Sequence, residues 1–188
     1  MATVTESDVI KGVYLVDPVV HGDDRGYFVE TYRRQWFPEG REMIQGNRGD
    51  RQAGCIVGLH YHLHQADYWY VPYGRARVVL HDLRAGGPTD GATLCLDLGR
   101  REDGTHDHGG IFIPPGVAHG FASLTDMTIT YLVDGYYNPQ DECGVAWDDP
   151  AIGADWGVTD PILSARDQAN PRRDDIEPRL RPAWAMRT

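Results

Sequence analysis

The chain has 188 residues, 41% of them hydrophobic, which is enough to fill one core of ordinary domain size, and it carries a formal charge of −10. That charge excludes nucleic acid and anionic membrane as expected partners, because either needs a basic face to displace counterions. No apolar run approaches the roughly 20 residues of a membrane span, and the opening MATVTESD lacks the basic and apolar regions of a signal peptide, so a cytoplasmic protein is expected.

Short alternating or β-branched stretches recur between turn signals, beginning with 12–16 (GVYLV) and 27–32 (YFVETY) on either side of HGDDRG. Helix signals are confined to about 34–41 and 160–170. Further strands are expected over 55–60 (CIVGLH), 68–72 (YWYVP), 75–82 (RARVVLHD) and 93–98 (TLCLDL), the last two joined by RAGGPTDG. Then come 110–113 (GIFI), 119–123 (HGFAS), 127–133 (MTITYLV) and 144–147 (GVAW), with REDGTHDHGG and PPG as turns. This spacing reads as an all-β sandwich or barrel in one domain, residues 1–167. Residues 168–188 mix Pro with both charge signs and read as a partly ordered C-terminal tail, with Trp184 available to anchor it on the barrel or a neighbouring subunit. Cys55, Cys95 and Cys143, odd in number and widely spaced, read as reduced thiols, neither a disulfide framework nor a zinc site.

The chemistry-bearing residues fall on three of these stretches. In GLHYHLH, from Gly58 to His64, strand periodicity puts Gly58, His60, His62 and His64 on one face and Leu59, Tyr61 and Leu63 on the other. Those imidazoles form either a surface strip or a cavity wall where burial and neighbours tune them near neutrality. PPGVAHGF, from Pro114, brings His119 into an apolar strand after a rigid turn. Tyr131 shares a face with Met127, Ile129 and Val133, and a buried hydroxyl there is either simply satisfied by a partner or serves as a general acid. An anionic substrate would need arginines gathered locally, with Arg25, Arg48, Arg51 and Arg84 as candidates, each otherwise a plain surface charge.

These segments resemble dTDP-4-dehydrorhamnose 3,5-epimerase and its relatives in deoxysugar biosynthesis. The resemblance runs from Asp24 to Asp167 through DRGYFVE, QGN, GLHY, DLR with PTDG, PGVAHGF, YYNPQDE, WDDP and LSARD, in the family's order. It implies a cupin-type jelly-roll β-barrel with a few short peripheral helices. It also implies a homodimer that trades an N-terminal strand, a nucleotide-linked 4-keto-6-deoxy sugar, most simply on dTDP, as substrate, and no cofactor. By the same resemblance His60 is the base, Asp167 the carboxylate that orients it and Tyr131 the proton donor across the sugar ring. Tyr137 stacks on the thymine base, and Arg25, Glu30, Gln45, Asn47, His119, Glu142 and Arg166 fall on substrate-contacting positions, Arg166 standing where lysine is usual. The residue types suit the reaction: inversion beside a ketone needs a base on one face, stabilisation of the enolate oxygen and an acid on the other face.

Three positions depart from the family pattern. Val57 stands for an arginine, Asp67 for a lysine and His62 for a glutamine, so positive charge expected near the diphosphate or the enolate is missing. Arg48 and Arg51 could replace it, or the sugar, or the number of carbons inverted, could differ. The same changes bring His60, His62, Asp67 and His119 close to the two-part motif of metal-dependent cupins. These could hold Fe(II), Mn(II), Ni(II) or Zn(II) as a Lewis acid, or contact substrate with no metal. The alternatives to an epimerase are therefore a metal-dependent cupin enzyme with altered chemistry and a non-catalytic sugar-nucleotide binding module.

Overall fold

The computed structural model describes residues 1–37 and 41–184. Its strands are β1 (Thr3–Glu6), β2 (Tyr14–Asp17), β3 (Val20–Asp23), β4 (Gly26–Val29), β5 (Gln45–Arg51), β6 (Ile56–Tyr61) and β7 (Asp67–Tyr73), then β8 (Arg75–Asp82), β9 (Thr93–Arg100), β10 (His106–Asp107), β11 (Gly110–Ile113), β12 (Val117–Ser123), β13 (Met127–Val133) and β14 (Cys143–Gly144). A single turn of 3₁₀ helix at Arg34–Trp36 stands where 34–41 was expected to be helical, its residues 38–40 lying outside the described ones. Within the second expected helical stretch only α1, Ala165–Gln168, forms. None of the described helices is long and apolar enough to cross a membrane.

Two six-stranded sheets face each other, in the orders β1-β2-β11-β7-β13-β5 and β10-β9-β8-β12-β6-β14, while β3 and β4 form a separate hairpin. All strand pairs are antiparallel. This is the jelly-roll sandwich that many short strands allow and that leaves few open edges. Between the sheets lie Trp69 and Val71 of β7, Val78 and Leu80 of β8, Ile111 and Ile113 of β11, Phe121 of β12 and Met127 and Ile129 of β13. Each sheet is also covered outside: Phe37, Tyr68 and Phe112 cover one, and Leu59, Tyr61, Ala118, Trp156 and Ile176 the other. Double coverage explains why every residue of β11 and of β12 is buried, where a one-sided sheet would show alternation.

The C-terminal stretch packs against the rest of the fold as far as Trp184. Ile176 is buried, the Ala146 amide donates to the Pro171 carbonyl and the Arg173 amide to Asp149. Trp184 lies against the barrel: its amide donates to the Ala85 carbonyl and its ring lies 4.6 Å from the Arg84 guanidinium. Residues 185–188 of the expected tail lie outside the described residues.

Arg84 is a structural cation, not a substrate contact. It is buried and donates to both carboxylate oxygens of Asp82, at 2.8 and 2.7 Å, and to the Lys11 carbonyl at 2.6 Å. Burial alone would push the Asp82 carboxyl up. The Arg84 guanidinium, the Thr89 hydroxyl at 2.7 Å and the Arg84 amide outweigh burial and hold it below the usual carboxylate range. A carboxyl with a lower pKa folded than unfolded adds stability that is complete above its ordinary value near 4 and is lost as pH falls through the folded value. Denaturant titrations of wild type against Asp82→Asn should therefore show the variant destabilised by about 3 kcal/mol at neutral pH. The gap should narrow below about pH 4; an equal gap at all pH values would refute the assignment.

Candidate active site

The sheets open at one end into a cavity of about 370 Å³. Strand register sets its walls. In one sheet Gln45, Val133 and Asp67 lie side by side across β5, β13 and β7, and the next inward row is Asn47, Tyr131 and Trp69. In the facing sheet His60 of β6 pairs with His119 of β12. Gln65, Val57, His62, Arg51, Tyr137 and Glu142 complete much of the lining.

Strand β6 does not keep strict alternation. His119 pairs with His60 but Phe121 pairs with Val57, so three steps on β6 match two on β12, which is a β-bulge. Val57 and His60, of opposite parity, therefore both line the cavity. Gly58 sits in the bulge at φ +113°, where a Cβ would lie 2.7 Å from the His119 carbonyl oxygen and 2.8 Å from the Gly120 Cα. Only glycine lets β6 approach β12 so closely. His64 does not share the expected histidine face: β6 ends at Tyr61 and His64 is exposed.

His60 is turned toward Asp167, its Nε2 lying 2.6 Å from the Asp167 Oδ1. The carboxylate arrives on α1, whose N-cap Ser164 accepts the Asp167 amide through its hydroxyl at 3.1 Å. Burial raises the Asp167 carboxyl, but hydrogen bonds from His60, the Ser164 hydroxyl and the Gly58 amide, with the His60 charge, outweigh it and hold Asp167 below the usual range. An ionised Asp167 fixes the proton on the His60 Nε2 and leaves Nδ1 as the basic nitrogen. Tyr131 projects from the opposite sheet, and burial followed by the nearby Asp67 charge pushes its phenol up, so it stays protonated.

His62, Asp67 and His119 are buried together in the same cavity. His60, expected with them, is not part of that cluster, and its Nε2 lies against Asp167 instead. His119 is held neutral: burial lowers it to about 4, with Asp67 opposing and His62 adding to the shift. The backbone between His62 and Gln65 is fixed by buried Asp141, which accepts the amides of Leu63, His64 and Gln65 at 2.6, 3.2 and 3.3 Å.

Of the residues expected to touch substrate, Gln45, Asn47, His119, Tyr137 and Glu142 line the cavity. Arg166 meets Glu142 at 3.3 Å at the exposed rim. Arg25 and Glu30 are not brought to it. Arg25, between β3 and β4, is paired with Asp23, and Glu30, after β4, is paired with Arg33, both exposed. Among the four arginines considered for an anionic ligand only Arg51 lines the cavity, while Arg48 is tied to Asp50 outside it. The sequence reading missed Trp69 and Asp141 as site residues. Period-two alternation from Asp67 would have put Trp69 on the same face; Asp141 gave no signal, since its role depends on a turn.

The sequence model of the family described as dTDP-4-dehydrorhamnose 3,5-epimerase matches residues 7–175. A dTDP-4-dehydrorhamnose 3,5-epimerase of Neisseria gonorrhoeae is 38% identical over 166 residues, covering 84% of this chain; the chain spans only 48% of that relative's length. The crystal structure of a dTDP-6-deoxy-D-glucose-3,5-epimerase from Legionella pneumophila in complex with dTDP-4-keto-L-rhamnose superposes with a TM-score of 0.89 at 27% identity, over 99% of this chain and all of that one. A 3′-monoepimerase from Streptomyces bikiniensis in complex with dTDP-quinovose superposes with a TM-score of 0.85 at 29% identity, over 95% and 93% of the two chains.

Proposed function

Since the chain belongs to the dTDP-4-dehydrorhamnose 3,5-epimerase family, we propose that its cavity epimerises a dTDP-linked 4-keto-6-deoxy sugar at C3, C5 or both. The observation that carries this reading is the pairing of His60 with buried Asp167 on one wall and a protonated Tyr131 on the other.

His60 Nδ1 takes the proton from the carbon beside the ketone. The C–H electron pair becomes the enolate double bond and the carbonyl pair moves onto oxygen. Asp167 stabilises the imidazolium that forms. Tyr131 donates its phenolic proton to the opposite face, the enolate reverts to ketone, and the resulting phenolate and imidazolium return to their starting states by exchange with water. No electrons leave the substrate, so no redox cofactor is required. Gln45 and Asn47, joined by a 3.0 Å hydrogen bond, supply polar contacts, exposed Tyr137 offers a ring for the thymine, and Arg51 with Arg166 supplies charge for the diphosphate.

The exposed β3–β4 hairpin, carrying Tyr27 and Phe28, suits a homodimer in which Arg25 and Glu30 serve a second copy's cavity. The experiment that tests the catalytic reading is incubation with dTDP-4-keto-6-deoxyglucose in D₂O, followed by NMR of the sugar. Deuterium is expected at C3, C5 or both, and its absence at both would refute the reading.

A further inference from the structure

We propose that His62, Asp67 and His119 form a binding site for a divalent first-row transition metal ion, with its open coordination positions facing the substrate cavity.

The three residues are at most 5% exposed, and one ligand atom from each lies within 4.8 Å of the others. Both imidazoles are oriented alike. His62 Nδ1 lies 2.8 Å from the Asp141 carbonyl and His119 Nδ1 lies 3.0 Å from the Val117 carbonyl. A carbonyl only accepts, so each Nδ1 carries the proton and each Nε2 keeps a lone pair. These Nε2 atoms lie 3.8 and 3.9 Å from the two Asp67 oxygens, too far for hydrogen bonds. Asp67 is itself held by two neutral donors, Gln65 Nε2 at 3.0 Å on one oxygen and Trp69 Nε1 at 3.1 Å on the other. Each of the three ligands thus has its own outer partner, the arrangement that fixes tautomer and aim at metal sites.

The site also has a charge to satisfy. Asp67 is buried, and no lysine or arginine among the described residues pairs with it; Arg51, in the same cavity, donates to the Asp50 carbonyl. A buried carboxylate facing two lone pairs is unfavourable unless a cation sits between them. With bonds of about 2.0–2.1 Å, adjacent ligands around such an ion stand roughly 3.3 Å apart; the two histidine–Asp67 distances of 3.8 and 3.9 Å need to close by about half an ångström, and the third separation, within 4.8 Å, by more, through side-chain rotation. Two imidazoles and one carboxylate leave positions open and suit zinc or ferrous iron.

The ion's role rests on the epimerase reading: held by His62, Asp67 and His119, it would supply Lewis-acid stabilisation to the enolate. Binding of the ion does not depend on that reading, so it is tested without substrate. The EDTA-treated full chain is titrated with Co²⁺ alone, followed by visible absorption and by quenching of tryptophan fluorescence, with stoichiometry taken by elemental analysis after desalting. One equivalent per chain is expected. His62→Gln and Asp67→Asn, checked for fold by circular dichroism, should each weaken binding by about 100-fold, since loss of an outer partner alone costs 10- to 100-fold. His60→Asn should bind Co²⁺ as wild type does. Sub-stoichiometric binding by wild type overturns the proposal whether or not the variants fold, and so does binding unchanged in folded His62→Gln and Asp67→Asn. If metal binds and no deuterium enters the sugar, it is the epimerase reading that fails.

Discussion

Replacing His60 with asparagine should lower the rate of solvent deuterium entry into the ketosugar by about 10²- to 10⁴-fold, the usual contribution of a positioned general base. His60 is 20% exposed, its Nε2 is committed to Asp167, and its ring lines the cavity. Asparagine keeps a polar side chain of moderate size but carries no basic nitrogen. Affinity for dTDP, measured by calorimetry, should hardly change, because the nucleotide is assigned to Tyr137 and the arginines. Exchange retained above about a tenth of wild type would mean that another group removes the proton.

Asp167→Asn should be comparably damaging, at up to about 10⁴-fold in kcat with KM little changed. Asparagine fits the space on α1 and can still accept the Gly58 amide, but it then turns its NH₂ toward the His60 Nε2. That favours the tautomer with the proton on Nδ1, where the basic lone pair is needed. Asp167 acts through His60 as a positioning residue, so the split between kcat and KM is the informative readout. Asp167→Glu should recover part of the activity because the charge returns. A parallel loss of dTDP affinity and thermal stability in Asp167→Asn, with kcat intact, would reduce the residue to a structural role.

The fold was legible wherever one strategy dominated a segment. β8, β9 and β13 carry β-branched or alternating residues and were readable nearly to their ends. β5 was not: its sequence QGNRGDR has no strand-favouring residue, and it is a strand because β13 pairs with it along seven residues. In β6 alternation failed for a local reason, since the bulge at Gly58 restores Val57 to the cavity side and the strand stops before His64. Tyr131 was readable from its face. Asp167 came only from resemblance, because no periodicity links two residues 107 positions apart. Val57, His62 and Asp67 stood out as departures, and it took the orientation of the rings to separate His60 from the other three.

The separation of His60 from Asp167 has a consequence for how the protein is made. The histidine leaves the ribosome more than a hundred residues ahead of the carboxylate it pairs with, and Asp167 is presented by a four-residue helix that follows every strand of both sheets. A nascent or prematurely ended product can assemble most of both sheets and still lack an oriented base. On the proposed reading the site is therefore competent only once residue 167 has been made, more than a hundred residues after its base.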